Sequence, residues 1–266
     1  MTVGPLQDNP VVSSERQGAV AIVSLQRAGA LNALSVQMAK AMTESIRRFA
    51  DDPSIWVIVL RASAGRAFSV GADLKETIGM SDDELLKRRD TLREMFALIR
   101  AIPQASIASV FGFALGGGCE IALSCDLIVA ADDAIFGLPE LRVGLIPAGG
   151  GTQLLSQSIG VRQAKELMFT AQQVDASRAH ALGIVSRLVP RTRLDEATME
   201  LALEICRSSP SAVRIVKRVM DGSAGLSAHA ALVVEEEGWK EVSQTSDRNE
   251  GVAAFVEKRT PRWENR

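Results

Sequence analysis

Residues 55–62, IWVIVLRA, carry one polar side chain, Arg61, in an otherwise apolar, β-branched-rich run. A strand of this kind must be covered on both faces, because alternation between an apolar and a solvated face is missing. Similar runs recur at Val20–Leu25 (VAIVSL), Ser106–Leu115 (SIASVFGFAL) and in DLIVAADDAIFG, residues 126–137. Helical spacing separates them. SVQMAKAMTESIRRFADD, residues 35–52, opens on Ser35 as N-cap, and SDDELLKRRDTLREMFALIRAI, residues 81–102, opens on Ser81 with an acidic first turn. This β-α-β alternation predicts an α/β protein with a largely parallel, layered sheet. From Thr152 onward the pattern turns helical, apart from a short strand candidate at Gly183–Val189, and near residue 195 the chain becomes all-α. The expected division is a core over 1–194 and a helical region over 195–266 that packs on the core or on a neighbouring subunit.

Several function classes are excluded early. A formal net charge of -2 gives no long-range attraction to nucleic acid or to an anionic membrane. No apolar run reaches the roughly 20 residues of a membrane span. The first eighteen residues lack the apolar or Arg-rich face of a targeting signal. Cys119, Cys125 and Cys206 are odd in number and lack C-x-x-C spacing, which fits free thiols in a reducing compartment, so a soluble cytoplasmic protein is expected. There is no tyrosine, and His180 and His229 lie in Ala-rich helical patterns without ligand-spaced partners, so no metal site is expected. H-E-x-x-H, the P-loop, G-x-G-x-x-G and the G-x-S-x-G elbow are absent.

The chemistry concentrates elsewhere. In FALGGGCEIALSCD, residues 113–126, a strand runs into Gly116, Gly117 and Gly118 and a helix follows. Glycines there let a ligand approach backbone N–H groups that have no intrahelical acceptor, a candidate oxyanion site. A tight strand-to-helix turn without a ligand is the alternative. RAFSVGADLKE, residues 66–76, repeats the arrangement with Gly71 and Ala72 after a strand. Two converging amides can hold an enolate, but spacing alone does not establish convergence. Glu120, in the first turn of the glycine-started helix, and Glu140, in FGLPELRVGLIPAGGGT, occupy Gly-rich, apolar surroundings. Burial there raises a carboxyl pKa toward neutrality, where it serves proton transfer. Singly, each also reads as a favourable charge at a helix start or a solvated loop residue.

Together ALNALS, FSVGADLKE, GFALGGGCEIALSCDLIVA, FGLPELRVGLIPAGGGTQ and EGVAAFVEKRTPRW resemble the crotonase superfamily, and within it enoyl-CoA hydratase, from about residue 11 to the end. The resemblance implies a spiral of ββα turns with C-terminal helices that form a homotrimer or a dimer of trimers. It implies that Ala72 and Gly117 supply the two oxyanion amides, and that Glu120 and Glu140 are the catalytic pair. It implies an acyl-CoA thioester substrate contacted by Arg27, Ala30, Gly71, Asp73, Leu74, Lys75, Gly116 and Ala148, with Phe255 and Lys258 contributed by the C-terminal helix. No cofactor is implied, coenzyme A being part of the substrate. The chain departs from the family pattern at Val70, at Ala148, at Leu154 where an arginine is common, and at Ala28 and Gly29. Double-bond isomerisation, hydration of a branched enoyl-CoA, and a noncatalytic acyl-CoA binding module are the competing readings.

Overall fold

The structure, a computed structural model, describes residues 11–265. The elements in chain order are β1 (Val12–Gln17), β2 (Val20–Leu25), α1 (Val36–Ala50), β3 (Val57–Ala62), β4 (Ala67–Ser69), α2 (Asp82–Ala101), β5 (Ala105–Val110), β6 (Phe113–Leu115), α3 (Gly117–Ser124), β7 (Leu127–Ala131) and β8 (Ile135–Gly137). They continue with α4 (Gly151–Ile159), α5 (Val161–Thr170), β9 (Val174–Asp175), α6 (Ala176–Ala181), β10 (Arg187–Val189), α7 (Leu194–Ile205), α8 (Pro210–Ser223), α9 (Ala228–Val242) and α10 (Ser246–Glu257). The two helix starts expected at serines are present. Ser35 accepts from the Met38 N–H, and Ser81 forms a reciprocal capping box with Glu84.

Two sheets share the strands. One has the order β1-β2-β3-β5-β7-β10 and the other β4-β6-β8-β9. In the first, β2, β3, β5, β7 and β10 run parallel, with Val59 opposite Ile107 and Ala108 opposite Ile128. Every side chain of β5 is buried, which is why the sequence there shows no alternation. Two of the long apolar runs prove to be two strands each. Residues 106–115 divide at Phe111–Gly112 into β5 and β6, and 126–137 divides into β7 and β8. At each division the chain leaves the six-stranded sheet for the four-stranded one. Periodicity cannot register such a corner, because both sides of it are buried. After the first turn, in which β1 and β2 both join the six-stranded sheet, each ββα turn thus adds one strand to each sheet before its helix, the spiral expected above. Strands β1 and β9 go unrecognised in the sequence: β1 is an antiparallel edge with half its length solvated, and β9 has two residues.

Within the four-stranded sheet β4, β6 and β8 are parallel neighbours. Their carboxyl ends therefore lie side by side at one edge, and the chain leaving each carries Ala72, Gly117 or Glu140. Helix α7 packs its Leu194, Ala197, Leu201 and Ala202 into the core beneath the six-stranded sheet. Helices α8, α9 and α10 follow. The apolar side chains Leu232, Val233 and Trp239 of α9, and Phe255 and Val256 of α10, are left exposed.

Candidate active site

The glycine triplet is explained residue by residue. Gly116 sits at φ 51, ψ -127, a conformation open to glycine, and its N–H donates to the Gly137 carbonyl at 2.9 Å, tying β6 to β8. A Cβ on Gly118 would lie 2.1 Å from the Ser69 carbonyl oxygen, so the first turn of α3 abuts the end of β4 backbone to backbone. Gly71 (φ 87) closes the same contact from the other side, since a Cβ there would be 2.7 Å from the Gly117 nitrogen. The segments bearing Ala72 and Gly117 therefore do converge. Among the described residues, neither the Ala72 nor the Gly117 N–H donates to a protein acceptor. Ala72 is exposed while Gly71 and Gly117 are buried, so the pair lies just beneath the surface at Ala72.

The loop holding Ala72 is braced on several sides. Leu34 donates to the Gly71 carbonyl at 2.8 Å and accepts from the Asp73 N–H at 3.0 Å. Arg27 Nη1 donates to Asp73 Oδ2 at 2.7 Å and to the Ala33 carbonyl at 2.9 Å. Burial opposes the charge on Asp73, but Arg27 and the Lys75 N–H outweigh it and hold the carboxyl below its usual range. Arg27 and Asp73, both expected to meet substrate, are thus bound to each other. Arg88, 8% exposed although it lies in a charged stretch, donates to the Leu34 and Asp73 carbonyls at 3.1 and 3.2 Å and pairs with Glu76 at 3.3 Å. No sequence pattern singles it out, because SDDELLKRRD reads as a solvated helix start. Leu74 and Lys75 are exposed on the short 3-10 turn Leu74–Thr77, and Ala30 lies half-buried in another at Ala28–Ala30.

Glu120 is 3% exposed. Its Oε1 accepts from the Gly149 N–H at 2.7 Å and from the Gly151 N–H at 2.9 Å. Burial pushes its carboxyl above the usual range, opposed by the Gly151 and Gly149 amides, by the charge of Arg100 and by the Gly150 amide. Glu140 opens a 3-10 turn after β8, Glu140–Val143, and differs in kind. Its Oε2 is buried without a hydrogen-bond partner. Burial, augmented by the nearby Glu120 charge and only partly offset by its own backbone N–H, pushes its carboxyl up to about 7. The Glu140 carboxyl borders Gly116, whose Cβ would stand 3.2 Å from its Oε1, and the Glu120 carboxyl borders Gly151, whose Cβ would stand 3.0 Å from its Oε1. The pair is electrostatically unlike: one carboxylate is held by amide donors, the other carboxyl is disposed to keep its proton near neutrality. Cys119, the residue before Glu120, is buried and its thiol is pushed up to about 12, first by burial, so it stays protonated.

Ala148 is exposed at the start of the loop that delivers Gly149 and Gly151. Leu154 Cδ1 and Arg100 Nη1 both border Gly150, where a Cβ would lie 3.2 and 3.0 Å from them. Phe255 is 85% exposed and Lys258 ends α10 in a left-handed conformation at φ 54. Neither bonds to a residue of the cluster within this chain.

The family described as "Enoyl-CoA hydratase/isomerase" matches residues 15–266. Over 222 residues the chain is 38% identical to a probable mitochondrial enoyl-CoA hydratase 2 of Arabidopsis thaliana, covering 84% of this chain and 74% of that one. It is 36% identical over 245 residues to the short-chain-enoyl-CoA hydratase of Clostridium acetobutylicum, covering 92% of this chain and 94% of that one. The crystal structure of enoyl-CoA hydratase from Bacillus anthracis superimposes with a TM-score of 0.93 at 34% identity, over 96% of this chain and 100% of that one.

Proposed function

The chain belongs to the enoyl-CoA hydratase/isomerase family, and from that premise we propose that it hydrates a trans-2-enoyl-CoA thioester to the 3-hydroxyacyl-CoA. The observation that carries this reading is the contrast within the carboxyl pair. Glu120 is an anion-holding site with two amide donors, whereas Glu140 has a buried, unpartnered oxygen and a carboxyl pushed up to about 7. Addition of water needs one base and one acid at the same moment, and such a pair supplies both.

The thioester oxygen lies between the N–H groups of Ala72 and Gly117. Glu120 takes a proton from water as the water oxygen bonds to Cβ. The alkene electron pair moves toward the carbonyl, and the two amides stabilise the enolate oxygen. Glu140 donates its proton to Cα, the enolate reverts to the thioester, and a proton passed from Glu120 to Glu140 restores the pair. Each amide is worth about 100- to 1,000-fold in rate, and each acid–base group about 100- to 10,000-fold. Their titrations are coupled through the shared water. No metal or redox group takes part, and the CoA moiety belongs to the substrate. Lys75, exposed beyond Ala72, faces the CoA phosphates; Arg27 contributes by bracing Asp73. The exposed apolar faces of α9 and α10 support assembly into a trimer or dimer of trimers, in which Phe255 and Lys258 reach a neighbour's substrate. Among the described residues no helix is long and apolar enough to cross a membrane, and the free cysteines suit a reducing cytoplasm.

The test is ultraviolet absorbance of crotonyl-CoA with the purified protein. Loss of the conjugated thioester band with formation of 3-hydroxybutyryl-CoA supports hydration. A bound but unreacted ester overturns it in favour of a binding module. Conversion of a 3-enoyl-CoA without hydration of the 2-enoyl ester overturns it in favour of an isomerase.

A further inference from the structure

We infer that Arg100 is a positioning residue for the water-activating carboxylate, holding the Gly149–Gly151 loop so that two of its amides converge on Glu120. The inference rests on the assignment of Glu120 as the base. Arg100 belongs to the last turn of α2, where a basic residue ordinarily only complements the helix dipole. Here its Nη1 donates to the Gly149 carbonyl at 2.5 Å. The N–H of the same residue donates to Glu120 Oε1 at 2.7 Å, and that of Gly151 follows at 2.9 Å. One peptide segment therefore joins the guanidinium to the carboxylate, with its carbonyl turned to the cation and its amides to the anion. One helical turn earlier, the ring of Phe96 packs against Gly149, where a Cβ would lie 2.6 Å from it. Phe96 and Arg100 make one face of α2 a rigid support for this loop.

The charge reinforces the geometry. Arg100 lowers the Glu120 carboxyl, opposing the burial that raises it. The other titratable groups facing Glu120 are Glu140, after β8, and the protonated Cys119 of its own helix. Strands β4, β5 and β6 and helix α4 carry no charged side chain. Helix α2, which also packs against α3, carries Lys87, Arg88, Arg89 and Arg93 besides Arg100; among the described residues Arg100 is the cation whose charge bears on Glu120. Arg100 also lines a groove of about 730 Å³ between α2, α8 and α9, with Arg214, Lys217, Arg218, Asp221 and Glu241. The groove gives small solutes access to its position.

The experiment compares Arg100→Ala, Arg100→Lys and parent for crotonyl-CoA hydration across pH, with infrared difference titration of the Glu120 carboxyl against Glu120→Gln. Arg100→Ala is expected to lower kcat by up to about 100-fold through misplacement of the loop, with KM within about twofold. It moves the acid limb of the profile and the infrared titration of Glu120 to higher pH. Arg100→Lys restores the limb more than the rate, because an ammonium keeps the charge but not the planar donor. Methylguanidinium at tens of millimolar recovers part of the Arg100→Ala rate. In a Glu120→Gln background Arg100→Ala has little further effect. An unmoved acid limb and infrared titration overturn the inference, as does undiminished sensitivity in the Glu120→Gln background. The infrared titration reads Glu120 whatever reaction the site runs. An inactive parent with the infrared shift intact would therefore reject the hydratase assignment while keeping the Arg100–Glu120 linkage.

Discussion

Replacing Glu140 by glutamine should raise the protein's stability relative to the parent as pH rises while disabling it. In the folded chain Glu140 keeps its proton up to about pH 7, whereas an ordinary glutamate releases it near 4.5. Between those values the native state binds the extra proton. The associated stability is complete below about pH 4.5 and is lost as pH climbs through 7. At 1.36 kcal/mol per pH unit the full displacement corresponds to about 3 kcal/mol. Glu140 is partly open to solvent, and screening reduces this to about 1–2 kcal/mol. The glutamine variant has no charge to desolvate. Its stability relative to parent should thus rise by about 1–2 kcal/mol between pH 5 and pH 8. Any cost of an unpaired amide is independent of pH and cancels from that comparison. Urea unfolding of both proteins at equal concentration across this range measures the effect, beside hydration rates expected to fall by about 100- to 10,000-fold. A stability difference that stays flat, or moves against the variant as pH rises, refutes the claim that Glu140 is a buried carboxyl with its proton retained.

Three further perturbations probe the frame. Gly71→Ala adds a methyl at φ 87 within 2.7 Å of the Gly117 nitrogen; it should cost about 1–3 kcal/mol and separate the two amides, with kcat falling by about 100-fold or more, read from thermal unfolding and steady-state kinetics. Arg88→Met strips the Leu34 and Asp73 carbonyls and Glu76 of a shared donor; a loss of about 2–3 kcal/mol is expected by denaturant titration, and an unchanged midpoint would show that the brace is idle. Asp247, 1% exposed, accepts from Ser209, Ser211 and the Glu264 and Asn265 amides; burial opposes its charge, yet these donors hold the carboxyl below its usual range. Asp247→Ala should cost about 2–3 kcal/mol at pH 7, and the difference from parent should shrink as pH falls through the native carboxyl's range, where the parent loses the same stability, as urea midpoints at pH 7 and pH 3 will show.

Much of the site was legible because its parts are locally encoded. The capped starts at Ser35 and Ser81, the glycine triplet before α3 and the unusual settings of Glu120 and Glu140 all lie within a few residues of the pattern that marks them. Arg88 and Arg100 were not legible. Each occupies a helical position where a cation is ordinary, and only the fold turns it inward to the Leu34 and Asp73 carbonyls or to that of Gly149. The same holds for Arg27, which the resemblance makes a substrate contact and which is bound to Asp73, 46 residues away, in the structure. The departure at Leu154 acquires a neighbour as well, since the Arg100 guanidinium shares the border of Gly150 with it.

Sequence alone determined that this chain builds a buried parallel sheet and that glycines and carboxyls gather at strand ends, because apolar period, capping and backbone freedom act over short spans. Tertiary structure decided that β4, β6 and β8 are lateral neighbours, which brings Ala72, Gly117 and Glu140, positions up to 68 apart in the chain, to one edge. It also decided which carboxyl is held by amides and which is left to keep its proton. Those outcomes depend on register and burial, which are set by contacts between segments distant in sequence and leave no periodic trace within any one of them.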